Sequence, residues 1–147
     1  MPNDRIERQI SIAAPVERVW EILTTPEHVS AWFCDNNPVT IDLRSGGVMN
    51  IDHGTGMSFP TRIDKADPPH YLAYRWASDF PGVLADDTNS TLVEFTLAPE
   101  GEGTLLTLSE SGFVALASGP ADTSSYDSHS GGWTEKLKSL SAYCERD

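Results

Sequence analysis

From Asn36 to Phe113 the apolar residues keep a period of two, and no helical stretch interrupts them. This constrains the fold more than any other feature. Strands that follow one another without intervening helices pair antiparallel, and helices gathered at the two ends of such a run define an α+β fold. Within the run, Val39, Ile41 and Leu43 alternate with Thr40, Asp42 and Arg44, and Ser45-Gly46-Gly47 marks a tight turn. Val48 to His53 reads as the returning strand and Gly54-Thr55-Gly56 as the next turn. Met57 to Lys65 reads as a weaker strand, because Pro60 has no N–H for the ladder. After Asp67-Pro68-Pro69, the stretch Tyr71 to Ala77 sets Leu72, Tyr74 and Trp76 against Tyr71, Ala73 and Arg75. Ser78 to Asn89 reads as a loop. Thr91 to Leu97 and Thr104 to Glu110 form a hairpin around Pro99 to Gly103.

The flanks have other periods. Ile6 to Ala13 is a half-buried strand with Ile6, Ile10 and Ile12 on one face; Arg8 interrupts it and is read as close to a strand end. Pro15 precedes Val16, Val19, Trp20 and Leu23, an i, i+3, i+4, i+7 stripe. Pro26 to Phe33 is a second short helix presenting Val29, Trp32 and Phe33. Ala115 to Ser125 is a linker or frayed helix start. Trp133, Leu137, Leu140 and Cys144 then follow at i, i+4, i+7, i+11. Extended back to Asp122, this helix would run about 25 residues, roughly 37 Å. Gly131 and Gly132 stand beside Trp133 and cost a helix interior about 1 kcal/mol each against alanine. They are expected either to start the regular helix and let it approach the sheet, or to open space beside a cavity.

Composition narrows the function. The chain has 147 residues, 39% of them apolar, which suits a single domain over 1–147 with its own core. With 22 Asp+Glu against 10 Lys+Arg the net charge is -12, which disfavours nucleic acid and anionic membranes as partners and leaves room for a basic protein partner. The charged N-terminus has no apolar segment of a secretory signal, and no window reaches the roughly 18 apolar residues of a membrane span. A cytoplasmic location is expected, with Cys34 and Cys144 as free thiols and no reactive role for Cys34.

Together these stretches resemble the SRPBCC, or START-like, helix-grip superfamily. The resemblance is to the group homologous to the C-terminal domain of the activator of the heat-shock protein 90 ATPase. It is carried by Ile6-Glu7-Arg8-Gln9-Ile10 leading into Ala14 to Trp20, by Thr25-Pro26-Glu27-His28 with Trp32, and by Asp42 to Gly47. It continues through Asp67 to Leu72 with Arg75-Trp76, Gly103 to Leu108 with Gly112-Phe113, and Gly132-Trp133 with Leu137, Leu140 and Tyr143. Phe59-Pro60 stands where members usually carry a glycine. The resemblance implies about six strands gripping the C-terminal helix, with a cavity between them for a small apolar or amphipathic ligand.

Strand parity and that fold together nominate Leu43, Ile51, Tyr74, Trp76, Phe95, Leu97, Leu108 and Phe113 as inward-facing, joined by Trp32, Phe33, Trp133 and Leu137 from the helices. The bland alternative is that they fill a solid core. Glu110 and His129 are the polar candidates. Glu110 shares parity with Leu106 and Leu108 but stands at a strand end, where solvation is the simpler expectation; His129 has surface exposure as its simpler reading. The histidines at 28, 53, 70 and 129 lack an i, i+4 pair, no glycine run forms a phosphate loop, and no nucleophile triad has a readable spacing. No cofactor or metal is therefore expected. The alternatives to a binding domain are a cyclase- or dehydratase-like enzyme, which would need Glu110 or His129 in the cavity, and a chaperone-interacting module. A homodimer is compatible with either.

Overall fold

The computed structural model describes residues 4–34, 36–52, 58–77, 82–86, 88–113 and 124–145. Seven strands form one antiparallel sheet: β1 (Arg5–Ile12), β2 (Thr40–Ile41), β3 (Val48–Asp52), β4 (Ser58–Asp67), β5 (Tyr71–Trp76), β6 (Thr91–Glu100) and β7 (Gly103–Ser111). Their spatial order is β1-β7-β6-β5-β4-β3-β2. The first strand thus closes onto the last, and the rest is a meander. Helices α1 (Val16–Thr24) and α2 (Pro26–Phe33) fill the connection from β1 to β2, and α3 (Ser124–Cys144) packs along β1 and against α2. The architecture is α+β, with seven strands where about six were expected. The alternation read over Val39 to Arg44 is paired only across the two-residue β2.

Register places the core. Directly paired residues share a face, so Ile6, Glu110, Val93, Tyr74 and Ile63 form one row across five strands. Arg8, Leu108, Phe95 and Leu72 form the next. Both rows lie on the face covered by the helices, where Val19, Ile22, Leu23, Val29, Leu137 and Leu140 are buried against them.

Several expectations change. Leu43 is 39% exposed and does not face inward. The alternation ends at Ile41 because the chain turns from Asp42 to Gly47, closed by Asp42 N–H to Val48 O at 3.0 Å. Only glycine fits at 47, where a Cβ would stand 2.0 Å from the Asp42 carbonyl oxygen. β4 is not weak: it runs ten residues through Pro60. The Pro60 carbonyl accepts from Ala85 N at 3.1 Å, so the missing N–H falls on the side away from β3, and pairing with β5 begins only at Arg62. Arg8 is in mid-strand, opposite Leu108. It interrupts the apolar face because its guanidinium reaches α3, donating to Ser130 Oγ at 2.8 Å. α3 begins at Ser124, so Gly131 and Gly132 lie inside it; both are exposed, and a Cβ on either would meet nothing within 4 Å. They neither start the helix nor let it approach the sheet. His53, part of the 78–89 loop, and residues 115–123 of the expected linker lie outside the described residues.

Candidate functional site

The feature of the interior that stability does not require is a carboxylate. Glu110 is 0% exposed, one residue before the end of the β7 ladder, set between Ile6 and Val93. The expectation of a solvated strand end fails because β1, β6 and α3 all cover this position. A buried carboxylate must have its acceptor sites filled, and here they are. Thr91 at the start of β6 donates its hydroxyl to Oε2 at 2.5 Å. Trp133 Nε1–H donates to Oε1 at 2.7 Å. His129 Nδ1 lies 2.7 Å from Oε2 and 2.9 Å from Oε1. His129 and Trp133 are one helical turn apart on α3 and therefore reach the same group. His129 is not a surface residue: its side chain is 10% exposed.

Aromatic rings enclose the pair. The His129 ring stacks on Trp76, with centroids 4.6 Å apart and 19° between planes, and meets Phe113 edge-on at 5.5 Å. Trp133 stacks on Phe33 at 5.6 Å and takes T-shaped contacts with Trp76 at 6.1 Å and Phe95 at 5.9 Å. Such offset and edge-to-face pairs are each worth about 0.5–1.5 kcal/mol beyond area burial. Next to them, Tyr74 packs on Phe95, and its phenol is pushed well above its ordinary range by burial and then by the Glu110 charge.

The structure thus brings together Phe33, Trp76, Phe95, Glu110, Phe113, His129 and Trp133, with Tyr74 at the side. Trp32 is one ring removed: it tilts against Phe33 and donates Nε1–H to the Ile22 carbonyl at 3.3 Å, tying α2 to α1. Ile51, Leu97, Leu108 and Leu137 are buried in the surrounding apolar core. Leu43 is absent from the group. Thr91, unforeseen, belongs to it. Its parity with Val93, Phe95 and Leu97 was readable, but nothing in the sequence showed that a carboxylate would stand across the ladder.

A meander of antiparallel strands closed by its first strand, with two short helices after β1 and a long C-terminal helix over one face, is a helix-grip domain. The chain belongs to the family of Activator of Hsp90 ATPase homolog 1-like proteins, whose model matches residues 13–145. Among solved structures it is similar to DynU16, a putative protein of the dynemicin biosynthetic locus, at 27% identity and TM-score 0.77. That match covers 98% of this chain but only 48% of DynU16, so the chain spans about half of that relative's length. It is similar over 97% of both chains to MLL2253 from Mesorhizobium loti, at 24% identity and TM-score 0.79. It also shares its fold with the Aha1 dimer from Colwellia psychrerythraea, at 18% identity and TM-score 0.75, over 96% of both chains. No curated protein sequence matches. Among the described residues no helix is long and apolar enough to cross a membrane.

Proposed function

We propose that this domain binds a small apolar or amphipathic molecule between its sheet and α3, with Phe33, Trp76, Phe95, Phe113 and Trp133 as apolar walls and the Glu110–His129 pair as the polar anchor. One observation carries the reading: a fully buried carboxylate, hydrogen-bonded on both oxygens and paired with the nearly buried His129 imidazole, set among aromatic rings from α2, β5, β6 and α3. Replacing a buried ion pair by apolar side chains of similar volume is often neutral or stabilising, so a core selected for stability alone has no need of it. Polar groups converging in an apolar interior are the usual composition of a ligand site. Family membership supports a ligand-binding domain in general.

The test is incubation with a lipid and small-molecule extract, then native mass spectrometry and tryptophan quenching. A bound mass, and quenching weakened by Trp133→Phe, are the expected results. A protein that carries no mass and shows no quenching with any apolar probe would sink the reading.

A second reading, an enzyme of the cyclase or dehydratase kind, is favoured by the same pair, because a carboxylate-held histidine is a common acid–base arrangement. It requires that a bound compound leave chemically changed. Recovery of only unaltered compound after prolonged incubation rejects it.

A further inference from the structure

We infer that Tyr74 sets the chemical class of the ligand: its hydroxyl donates a hydrogen bond to a neutral acceptor, the carbonyl oxygen of a ketone or amide, carried on the apolar body. This rests on the binding reading above and deepens it.

The buried hydroxyls around the sheet are mostly engaged within the chain. Thr61 donates to the Met49 carbonyl at 2.6 Å, Thr104 to the Ala14 carbonyl at 2.7 Å, and Thr91 to Glu110. Tyr74 differs. It is 3% exposed, and among the described residues its hydroxyl has no hydrogen-bond partner. Tyr71, three residues earlier and on the opposite face of β5, shows the contrast: its hydroxyl donates to Glu94 Oε2 at 2.5 Å. A buried hydroxyl without a partner is destabilising, and packing alone would be served by phenylalanine.

Its position is on the face where the ligand is proposed to lie. Glu110, Val93 and Tyr74 are consecutive members of one row across β7, β6 and β5, under the helices. Two strand spacings, about 10 Å, separate the carboxylate's strand from that of the phenol, with only the small Val93 between. The Phe95 ring lies beside Tyr74 at 6.3 Å and touches Trp133 at 5.9 Å. An apolar body against these two rings has its polar end within reach of Tyr74.

Electrostatics select a neutral acceptor. Burial, then the Glu110 charge, then Cys34 at the end of α2, hold the phenol well above its ordinary range. It therefore stays protonated and donates. The same carboxylate opposes an anion here, whereas a carbonyl oxygen accepts without bringing a charge.

The probes are 2-acetylnaphthalene, a ketone, and 2-isopropylnaphthalene, which has its shape without the acceptor, titrated by calorimetry. Tyr74→Phe removes the hydroxyl and keeps the ring. It should weaken the ketone about tenfold, one hydrogen bond's worth, and leave the hydrocarbon within about twofold. General damage to the site would weaken both alike. Without ligand, Tyr74→Phe should unfold at an unchanged or higher urea midpoint, whereas loss of a partnered hydroxyl would lower it. The carbonyl stretch of the bound ketone should fall below its frequency in an apolar solvent, and return to it in Tyr74→Phe. The charged 2-naphthoate should bind more weakly than the ketone. An equal loss for both compounds, an unaffected ketone, a lowered midpoint, or 2-naphthoate bound as tightly as the ketone overturns this inference and leaves the binding reading standing. Binding of no apolar probe overturns both. Should Tyr74→Phe not fold, the wild-type carbonyl stretch still decides, since an unshifted band overturns the hydrogen bond.

Discussion

Replacing Glu110 by alanine removes the common acceptor of three donors from three places in the chain: Thr91 on β6, and His129 and Trp133 on α3. Thr91 has an alternative, since its hydroxyl already lies 3.4 Å from the Trp76 carbonyl oxygen. Trp133 Nε1–H is buried and loses its Glu110 acceptor. Removing one partner of a buried charged pair costs about 3–5 kcal/mol, and the emptied side-chain volume adds to it, so about 4 kcal/mol is expected. For a chain of 147 residues the unfolding entropy is about 0.3 kcal/mol/K, which converts that loss to a fall of about 13 °C in Tm. The assay is urea unfolding followed by circular dichroism, alongside a thermal scan. The decisive comparison is the triple variant Glu110→Leu, His129→Phe, Trp133→Phe, which swaps every polar member for an apolar one. It should unfold within about 1 kcal/mol of wild type, far from the sum of the single variants. A loss under about 1 kcal/mol in Glu110→Ala would refute the network. A triple variant as damaged as that sum would show that the pair is stabilising in its own right, and the argument that it is kept for function would fall.

Gly131→Ala and Gly132→Ala should each raise stability by about 1 kcal/mol, or about 3 °C, because both are exposed within α3 and an added Cβ meets nothing within 4 Å; unchanged or lower Tm would show that the glycines make a contact. Ile51→Ala should cost about 2–5 kcal/mol, since Ile51 is fully buried, while Leu43→Ser at the exposed turn should stay within about 0.5 kcal/mol, both read from urea midpoints. Stability should also fall in alkali. Burial pushes the Cys144 thiol from its ordinary value near 9 up to about 12, and the Tyr74 phenol well above its ordinary range. Both folded-state values lie above the unfolded ones, so their contribution is complete below about pH 9 and is lost as pH rises towards 12. Urea midpoints that stay flat from pH 8.5 to 11.5 would contradict this.

The fold was legible where one face of each element is apolar over several residues. β1, α1, α2, β5, β6 and β7 could be read to within a few residues, because a one-residue slip would expose a whole face. Leu43 misled because parity survives in the sequence after the chain has left the sheet; only the closure of Gly47 onto Asp42 shows where the turn begins. Pro60 misled in the other direction, since its effect depends on which side of the strand lacks a neighbour. The site was half legible. The parity of Glu110 was correct, but parity gives a face and not a depth. Its burial follows from β1 closing against β7 and from α3 laying His129 and Trp133 over it, which no local pattern contains. Arg8 looked like a flaw in an apolar strand for the same reason: its partner, Ser130, is 122 positions away.

These long-range contacts also account for the two glycines. His129, Ser130 and Trp133 occupy a single turn and a quarter of α3, and each is held by a side chain of the sheet: His129 and Trp133 by Glu110 of β7, Ser130 by Arg8 of β1. Gly131 and Gly132 fall between them on the exposed side. Most helical stability in a folded protein comes from tertiary packing rather than propensity. Here the attachments are concentrated at the very turn where propensity is poorest, which is how a helix with adjacent glycines keeps its hydrogen bonding through Trp133. It follows that the glycines and Glu110 are energetically linked. Gly131→Ala with Gly132→Ala, added to Glu110→Ala, should restore about 2 kcal/mol of the roughly 4 lost, and any recovery beyond that additive amount would measure how far the helix frays once its anchor is gone.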